Sequence, residues 1–377
     1  MLSPALDATI RDRSREFEQA RRLPDDIAAA LTSEGAFASW IPQVYGGEQV
    51  SAQAGLDHIT AVAEADGAVG WCVMIALTTS LTAYFLPDRY GKEIFHARAV
   101  TGGFAAPAGT AVVVEGGLRV SGRWAWGSGT SHCTTIGGRV RLVDQTGATA
   151  PRSDGLVAPF VFFDREDVEL LDTWHTAGLA GTGSTDYRVE RAFVPEGRWV
   201  QLGTAAPVIQ APLAQFPLFG LLALGVAAVS IGITRRALTE TTALAADKRP
   251  QGSGRTLAER AETQATVSRA EATVRSAAAF MADVTGQAWE TAAAGDPLSL
   301  EHRRGLRLAA TDATARCAAA VRDLHLVAGG VDVYLTSPIQ RCFRDIHVAT
   351  QHAMTSARTY ELVGRLALGL DTDTRQL

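Results

Sequence analysis

No run of lysine or arginine along these 377 residues is dense enough to follow a phosphate backbone. With a net charge of −5, that argues against a nucleic-acid partner. The opening residues, MLSPALDATIRDRSREFEQARRL, contain no apolar stretch of the signal-peptide kind. Cysteine is scarce, and Cys72, Cys133, Cys317 and Cys342 share no metal-ligand spacing, so no metal site is expected. They read instead as buried thiols in a reducing compartment. No glycine fingerprint of a nicotinamide-binding strand–turn–helix unit occurs. One long apolar run exists, Phe216 to Ile233, but it carries Gly220, Gly225 and Gly232 and leads into Arg235 and Arg236. Its small residues suit a buried bundle helix better than a membrane span. The expectation is a soluble, cytoplasmic protein with no membrane partner.

What is present is enough apolar material for a large core. Hydrophobic residues make up 47% of the chain and charged ones 20%, and the length suggests two or three packed units. Three textures divide the sequence. Residues 1–99 are helical: Pro24 with Asp25 and Asp26 makes a helix start with an anionic first turn, and helical stretches follow near Leu56–Ala65 and Val69–Phe85. Residues 100–205 alternate short β-prone runs with glycine-rich turns, Gly116-Gly117 and Asp144 to Gly147 being plausible hairpin connections. A small antiparallel sheet is expected there. Residues 206–377 carry four long alanine-rich helices, Leu213 to Asp247, Leu257 to Ala294, Leu300 to Ala328 and Ile346 to Leu368, for which an up-and-down bundle is the default. The fold class is therefore α+β multidomain, in the order helices, sheet, four-helix bundle.

Three segments carry candidate chemistry. In Ser121-Gly-Arg-Trp-Ala-Trp-Gly-Ser-Gly129, two alternating tryptophans suggest a strand offering planar surfaces, with Ser128 held between permissive glycines. Such a segment suits a flat heteroaromatic cofactor, and equally a Trp-rich hairpin packed on the bundle. Thr173 to Ser184 is a glycine- and hydroxyl-rich loop that precedes a strand rather than a helix, so it is no phosphate-binding loop. In Arg341 to His352, His347 and His352 would stand about 140° apart on a helix, too divergent to share a metal.

This layout resembles the acyl-CoA dehydrogenase superfamily over nearly the whole chain. Gly122-Arg-Trp-Ala-Trp126-Gly-Ser128-Gly129 is similar to the family strand whose tryptophan packs by the isoalloxazine and whose hydroxyl bonds the flavin N5/O4 edge. Lys248-Arg249, Leu257 and Gln264 resemble the family's Arg and Gln at the cofactor's phosphate and adenylate side. Leu324 to Gly330 resembles its helix-ending pair, here Gly329 and Gly330. The phrases SGRWAWGSG, GLAGTGSTD and RCFRDIHVATQH are closer to the two-component flavin-dependent monooxygenases. In that branch the active-site histidine falls on His352 and the flavin-contacting serine on Ser128. Where dehydrogenases carry a Tyr-Glu-Gly-Thr run, this chain reads Gln351-His-Ala-Met-Thr355, without a carboxylate. Ala180 stands where the related loop usually has an arginine.

The resemblance implies an oxygenase that takes reduced flavin, FMN or FAD, from a separate reductase. It implies reaction with O2 at the flavin C4a and oxygenation of a small aromatic or heteroatom-containing substrate. Ser128 would serve the N5 region and His352 would act as general base or stabilise the peroxide. Trp71, Phe104 and Trp174 are candidates for an apolar substrate wall, though each also reads as core packing. A homo-oligomer, a tetramer, is expected. Two rival readings are a thioester dehydrogenase with Glu361 as its base and a non-catalytic flavin-scaffold protein.

Overall fold

A computed structural model describes residues 2–375 and residue 377. The chain opens with α1 (Pro4–Ala20) and α2 (Asp25–Ser33), whose anionic first turn is the one expected from Asp25 and Asp26. Then come α3 (Ala52–Ala65) and α4 (Gly67–Ser80). Asp66 separates these two because its carboxylate accepts the amides of Ala68 and Val69, capping α4. After α5 (Asp88–Ile94) the chain enters the sheet: β1 (Thr101–Val114), β2 (Gly117–Gly127), β3 (Thr135–Leu142), β4 (Phe160–Asp164), β5 (Val168–Leu171), β6 (Thr185–Pro195) and β7 (Trp199–Val200). The short α6 (Pro212–Gln215) leads to α7 (Leu218–Asp247), α8 (Ala261–Ala293), α9 (Leu300–Ala328), α10 (Pro338–Ala349) and α11 (Arg358–Ala367).

The strand order is β5-β6-β2-β1-β3-β4-β7. Gly116, at φ 76°, closes the expected β1–β2 hairpin, with Val114 opposite Gly117. The sheet is not wholly antiparallel, however. β1 and β3 run parallel, Thr101 beside Thr135 and Ala111 beside Leu142, so the sheet is mixed. β2 separates them in sequence but flanks β1 on its other side, a non-local choice invisible to alternation patterns.

The expected fourth bundle helix is also corrected. Instead of one helix from Ile346 to Leu368, α10 ends at Ala349, a single 3₁₀ turn covers Ala353–Thr355, and α11 starts at Arg358. The buried Arg307 of α9 donates to Met354 O at 3.0 Å and Thr359 Oγ1 at 3.3 Å, giving the interrupted backbone a partner.

Two helical stretches, Gly67–Phe85 and Leu218–Asp247, are long and apolar enough to cross a membrane, yet 83% and 78% of their most apolar parts are buried within the protein. α7 lies against α3, α4 and α9, and a Cβ on Gly232 would stand 2.5 Å from Thr60 O, so glycine permits the close approach of two backbones. The main core runs without interruption from Leu6 and Phe17 through Trp124 and Tyr187 to Leu324 and Ile346. All four cysteines are unpaired and buried, as expected.

The 172–184 loop reaches this core by contacting α10. A Cβ on Gly178 would lie 2.3 Å from Arg344 O and 2.7 Å from the Asp345 amide nitrogen. Replacing Gly178 by Ala must therefore separate loop from helix. The expected cost is about 1–3 kcal/mol of unfolding free energy, read as a lower urea midpoint at unchanged m-value.

Candidate flavin site

The site is assembled from four segments. Trp71 comes from α4, Ser128 from the turn after β2, Thr182 and Ser184 from the loop before β6, and His352 from the break between α10 and α11. The strand leading in is distorted. The β2–β6 register shifts between Trp124 and Gly127, and Trp126 sits there at φ 58°, a left-handed conformation unusual for a bulky side chain. Alternation alone would put Trp124 and Trp126 on one face. The bulge sends them apart. Trp124 is fully buried, stacked on Tyr187 with ring centroids 5.3 Å apart, whereas Trp126 is 62% exposed and meets Phe104 edge-on at 5.7 Å. An exposed indole held in a strained backbone is an observation that favours function over packing.

Ser128 lies just beyond. Its amide bonds to Trp126 O at 2.8 Å, and Gly129, at φ 72°, turns the chain so that its own amide bonds to Thr182 O at 2.9 Å. The Ser128 hydroxyl is buried. It receives the indole N–H of Trp71 at 3.1 Å and lies 2.6 Å from Ser184 Oγ, which lies 2.6 Å from Thr182 Oγ1. Thr182 Oγ1 donates to Leu179 O at 2.7 Å. Trp174 Nε1 donates to the same carbonyl at 3.2 Å, so Trp174 is joined to this group through the loop backbone.

His352 is not on a helix. It caps the 3₁₀ turn, its Nδ1 accepting the Met354 amide at 3.3 Å, and its ring meets Trp71 edge-on with centroids 5.6 Å apart. Burial pushes its pKa down to about 4, and the charge of Arg307 acts in the same direction. Near neutral pH the ring is therefore uncharged, and with Nδ1 accepting, the hydrogen resides on Nε2. Of the two roles that the resemblance implied, general base or stabilising donor, an uncharged ring with its hydrogen on Nε2 suits the donor. Glu361, the alternative base, is exposed on α11.

The remaining sequence candidates form a second group at the end of the bundle. Lys248 Nζ donates to Ala328 O beside Gly329, which is at φ 63°, and a Cβ on Gly330 would meet open space. The amides of Leu257 and Ala258 bond back to Lys248 O and Ala245 O, returning the start of α8 to the end of α7. Arg249 donates to Gly254 O and Gln264 to Ala258 O, so both exposed side chains are turned onto local carbonyls. Next to this group a cleft of about 330 Å³ is lined by Glu240, Leu244, Val331 and Ser337. It brings no aromatic ring and no hydroxyl relay. Aromatic rings and linked hydroxyls gather instead around Ser128.

Ala180, in place of the family arginine, lines a small cavity together with Asp66, Asp345 and Arg341. A guanidinium thus reaches this loop from α10. Asp345 accepts the Leu179 amide at 2.5 Å, and Arg344 donates to Ala177 O at 2.8 Å. Burial pushes the Asp345 carboxyl up to about 7, with Asp66 adding to the effect and the Leu179 hydrogen bond opposing it. Thr182, Ser184 and Asp345 went unassigned in the sequence. The run of hydroxyl residues was the only signal for the first two, and Asp345 offered none.

These residues fit a flat heteroaromatic ring whose edge carries a polar group: the exposed indole of Trp126 lies two residues from the buried hydroxyl of Ser128, and Trp71 joins that hydroxyl to the neutral imidazole of His352. Comparison with known proteins gives the family. The model of the acyl-CoA dehydrogenase C-terminal domain matches residues 224–357. Indole-3-acetate monooxygenase of Pseudomonas putida is 31% identical, covering 97% of this chain and 94% of that protein. The oxygenase subunit HsaA of Mycobacterium tuberculosis, a flavin-dependent monooxygenase, is 29% identical over 96% of this chain and 93% of its own. Its crystal structure aligns with a TM-score of 0.88 at 25% identity, covering 99% of this chain and 97% of that one. XiaF of a Streptomyces species, solved with FADH2 and glycerol, shares the fold with a TM-score of 0.89 at 24% identity, over 97% of this chain and 94% of its own.

The Asp345 carboxyl makes the loop–helix contact pH-sensitive. Its folded pKa of about 7 lies above the usual value of 3.8, so the folded state holds the extra proton between them. Its stabilising effect is complete below about pH 4 and is lost as pH rises through 7. Asp345→Asn keeps an acceptor for Leu179 without the charge. Its melting temperature is expected to exceed wild type above pH 7, the gap closing towards pH 5 in thermal scans.

Proposed function

Because the chain belongs to the oxygenase components of the two-component flavin-dependent monooxygenases, we propose that the Ser128–Trp71–His352 group is its catalytic centre and that it oxygenates a small aromatic compound. The reductase is a separate protein, as the two-component system implies. Reduced flavin, when bound, supplies the electrons that activate dioxygen. The observation that carries the reading is the neutral imidazole of His352 against the Trp71 indole, where a thioester dehydrogenase needs a carboxylate base.

The residues of this chain divide the work. Trp126 and Gly129 would border the ring of a bound flavin, and Ser128 would serve its N5 region. His352 would offer Nε2–H as an uncharged donor to an oxygen gaining negative charge, a role that buried surroundings strengthen. Trp71, Phe104 and Trp174 form apolar walls that exclude water and accept a planar substrate. The names of the relatives, an indole-3-acetate monooxygenase among them, support an indole or phenol class. Arg249, Gln264, Gly329 and Gly330 would hold the phosphate end of the flavin. Arg249 must leave Gly254 O to do so. Exposed Val331, Val333, Tyr334 and Leu335 beside this end support a homotetramer in which copies cover that surface. The division into residues 1–99, 100–205 and 206–377 is supported by the gaps between Ile94 and Thr101 and between Val200 and Pro212.

Two measurements test the proposal. Anaerobically reduced FMN or FAD is expected to bind, and on mixing with oxygen to yield oxygenated product from phenols or indoles. Reoxidation at the rate seen in buffer, with no product, overturns the reading. Replacing His352 by Ala should lower product formed per flavin oxidised by about 100-fold while flavin affinity holds, since one well-placed donor is worth that much. Unchanged coupling removes His352 from the chemistry.

A further inference from the structure

The hydroxyl groups behind Ser128 are ordered in one direction only. Leu179 O cannot donate, so the Thr182 hydroxyl hydrogen points to it. Thr182 Oγ1 can then only accept from Ser184, and Ser184 Oγ, its hydrogen committed, can only accept from Ser128. The Trp71 indole, a donor without acceptor capacity, completes the sequence by donating to Ser128 Oγ. All three hydroxyls are buried, with exposures of 6% for Ser128, 1% for Thr182 and 3% for Ser184, so bulk water does not scramble the order. The frame is rigid as well: Thr182 O receives the Gly129 amide and the Cys72 thiol, and Leu179 is fixed by Asp345.

One lone pair of Ser128 Oγ remains, and no hydrogen. Whatever Ser128 meets must therefore bring a donor. Reduced flavin carries a hydrogen on N5, whereas oxidised flavin presents a lone pair there. We infer that Thr182 and Ser184 are positioning residues that hold Ser128 as an acceptor, and that this order makes the site prefer reduced over oxidised flavin. The inference rests on the flavin reading above and adds to it the source of redox selectivity. Selectivity of this kind suits an oxygenase that receives flavin reduced elsewhere and must let the oxidised form go.

The test compares dissociation constants for oxidised and anaerobically reduced flavin, measured by fluorescence and absorbance titration of the full chain. Wild type is expected to bind the reduced form more tightly. In Ser184→Ala the Ser128 hydrogen loses its acceptor and is free to turn to an oxidised N5. The oxidised-to-reduced ratio of constants should fall about five- to tenfold, the size of one neutral hydrogen bond. Thr182→Val should move the ratio the same way, since Ser184 then turns its hydrogen back on Ser128, and it serves if the alanine variant does not fold. Ser184→Thr, which keeps the hydroxyl, should restore the wild-type ratio. A ratio unchanged in both Ser184→Ala and Thr182→Val overturns the inference while leaving the flavin reading intact. Wild type that binds neither form overturns the flavin reading and the inference with it.

Discussion

Asp345 accepts the Leu179 amide in a fully enclosed position, and much of the site hangs on that contact. Leu179 is held at φ 52°, a conformation that a leucine adopts only under external constraint, and Asp345 with Arg344 supplies the constraint from α10. From this fixed point the carbonyl of Leu179 receives Trp174 and Thr182, Thr182 aligns Ser184, and Ser184 aligns Ser128. The same helix ends four residues later and hands the chain to His352. One helix therefore supports both the hydroxyl relay and the imidazole, and Trp71 touches each.

The electrostatics follow from enclosure. Burial keeps His352 uncharged, keeps Asp345 near its titration point and pushes the Cys133 and Cys342 thiols up to about 12. Inert thiols and an uncharged imidazole leave few groups near the site that can exchange protons with water. The charged groups Arg341, Arg344 and Glu18 lie on the far side of the loop, where Arg344 pairs with Glu18 and holds the Ala177 carbonyl.

Much of the fold was legible along the chain because it is locally encoded. Anionic first turns, glycine breaks and apolar periodicity located α2, α3, α4 and α9 closely, and Gly116-Gly117 located the first hairpin. The first half of β1 was not legible: Thr101 to Gly109 reads TGGFAAPAG, with no alternation to detect. Nor was the α10–α11 break, since residues 350–357, TQHAMTSA, include neither glycine nor proline. Across that break Arg307, more than forty positions away, bonds a carbonyl that a continued helix would use.

What the sequence determined by itself was the order of the layers and the residue types at the motifs, because short-range periodicity and steric rules act between near neighbours. Ser128, His352 and the tryptophans were visible as types. Their roles were decided by tertiary structure. A β-bulge turned Trp126 outward while Trp124 went into the core, parallel pairing of β1 with β3 gave the sheet its mixed order, and burial with a backbone amide on Nδ1 left the His352 ring uncharged with its hydrogen on Nε2. The direction of the hydroxyl relay depends on one carbonyl, Leu179 O, held in place by α10. Desolvation and hydrogen-bond direction are properties of enclosure, and no stretch of chain encloses itself.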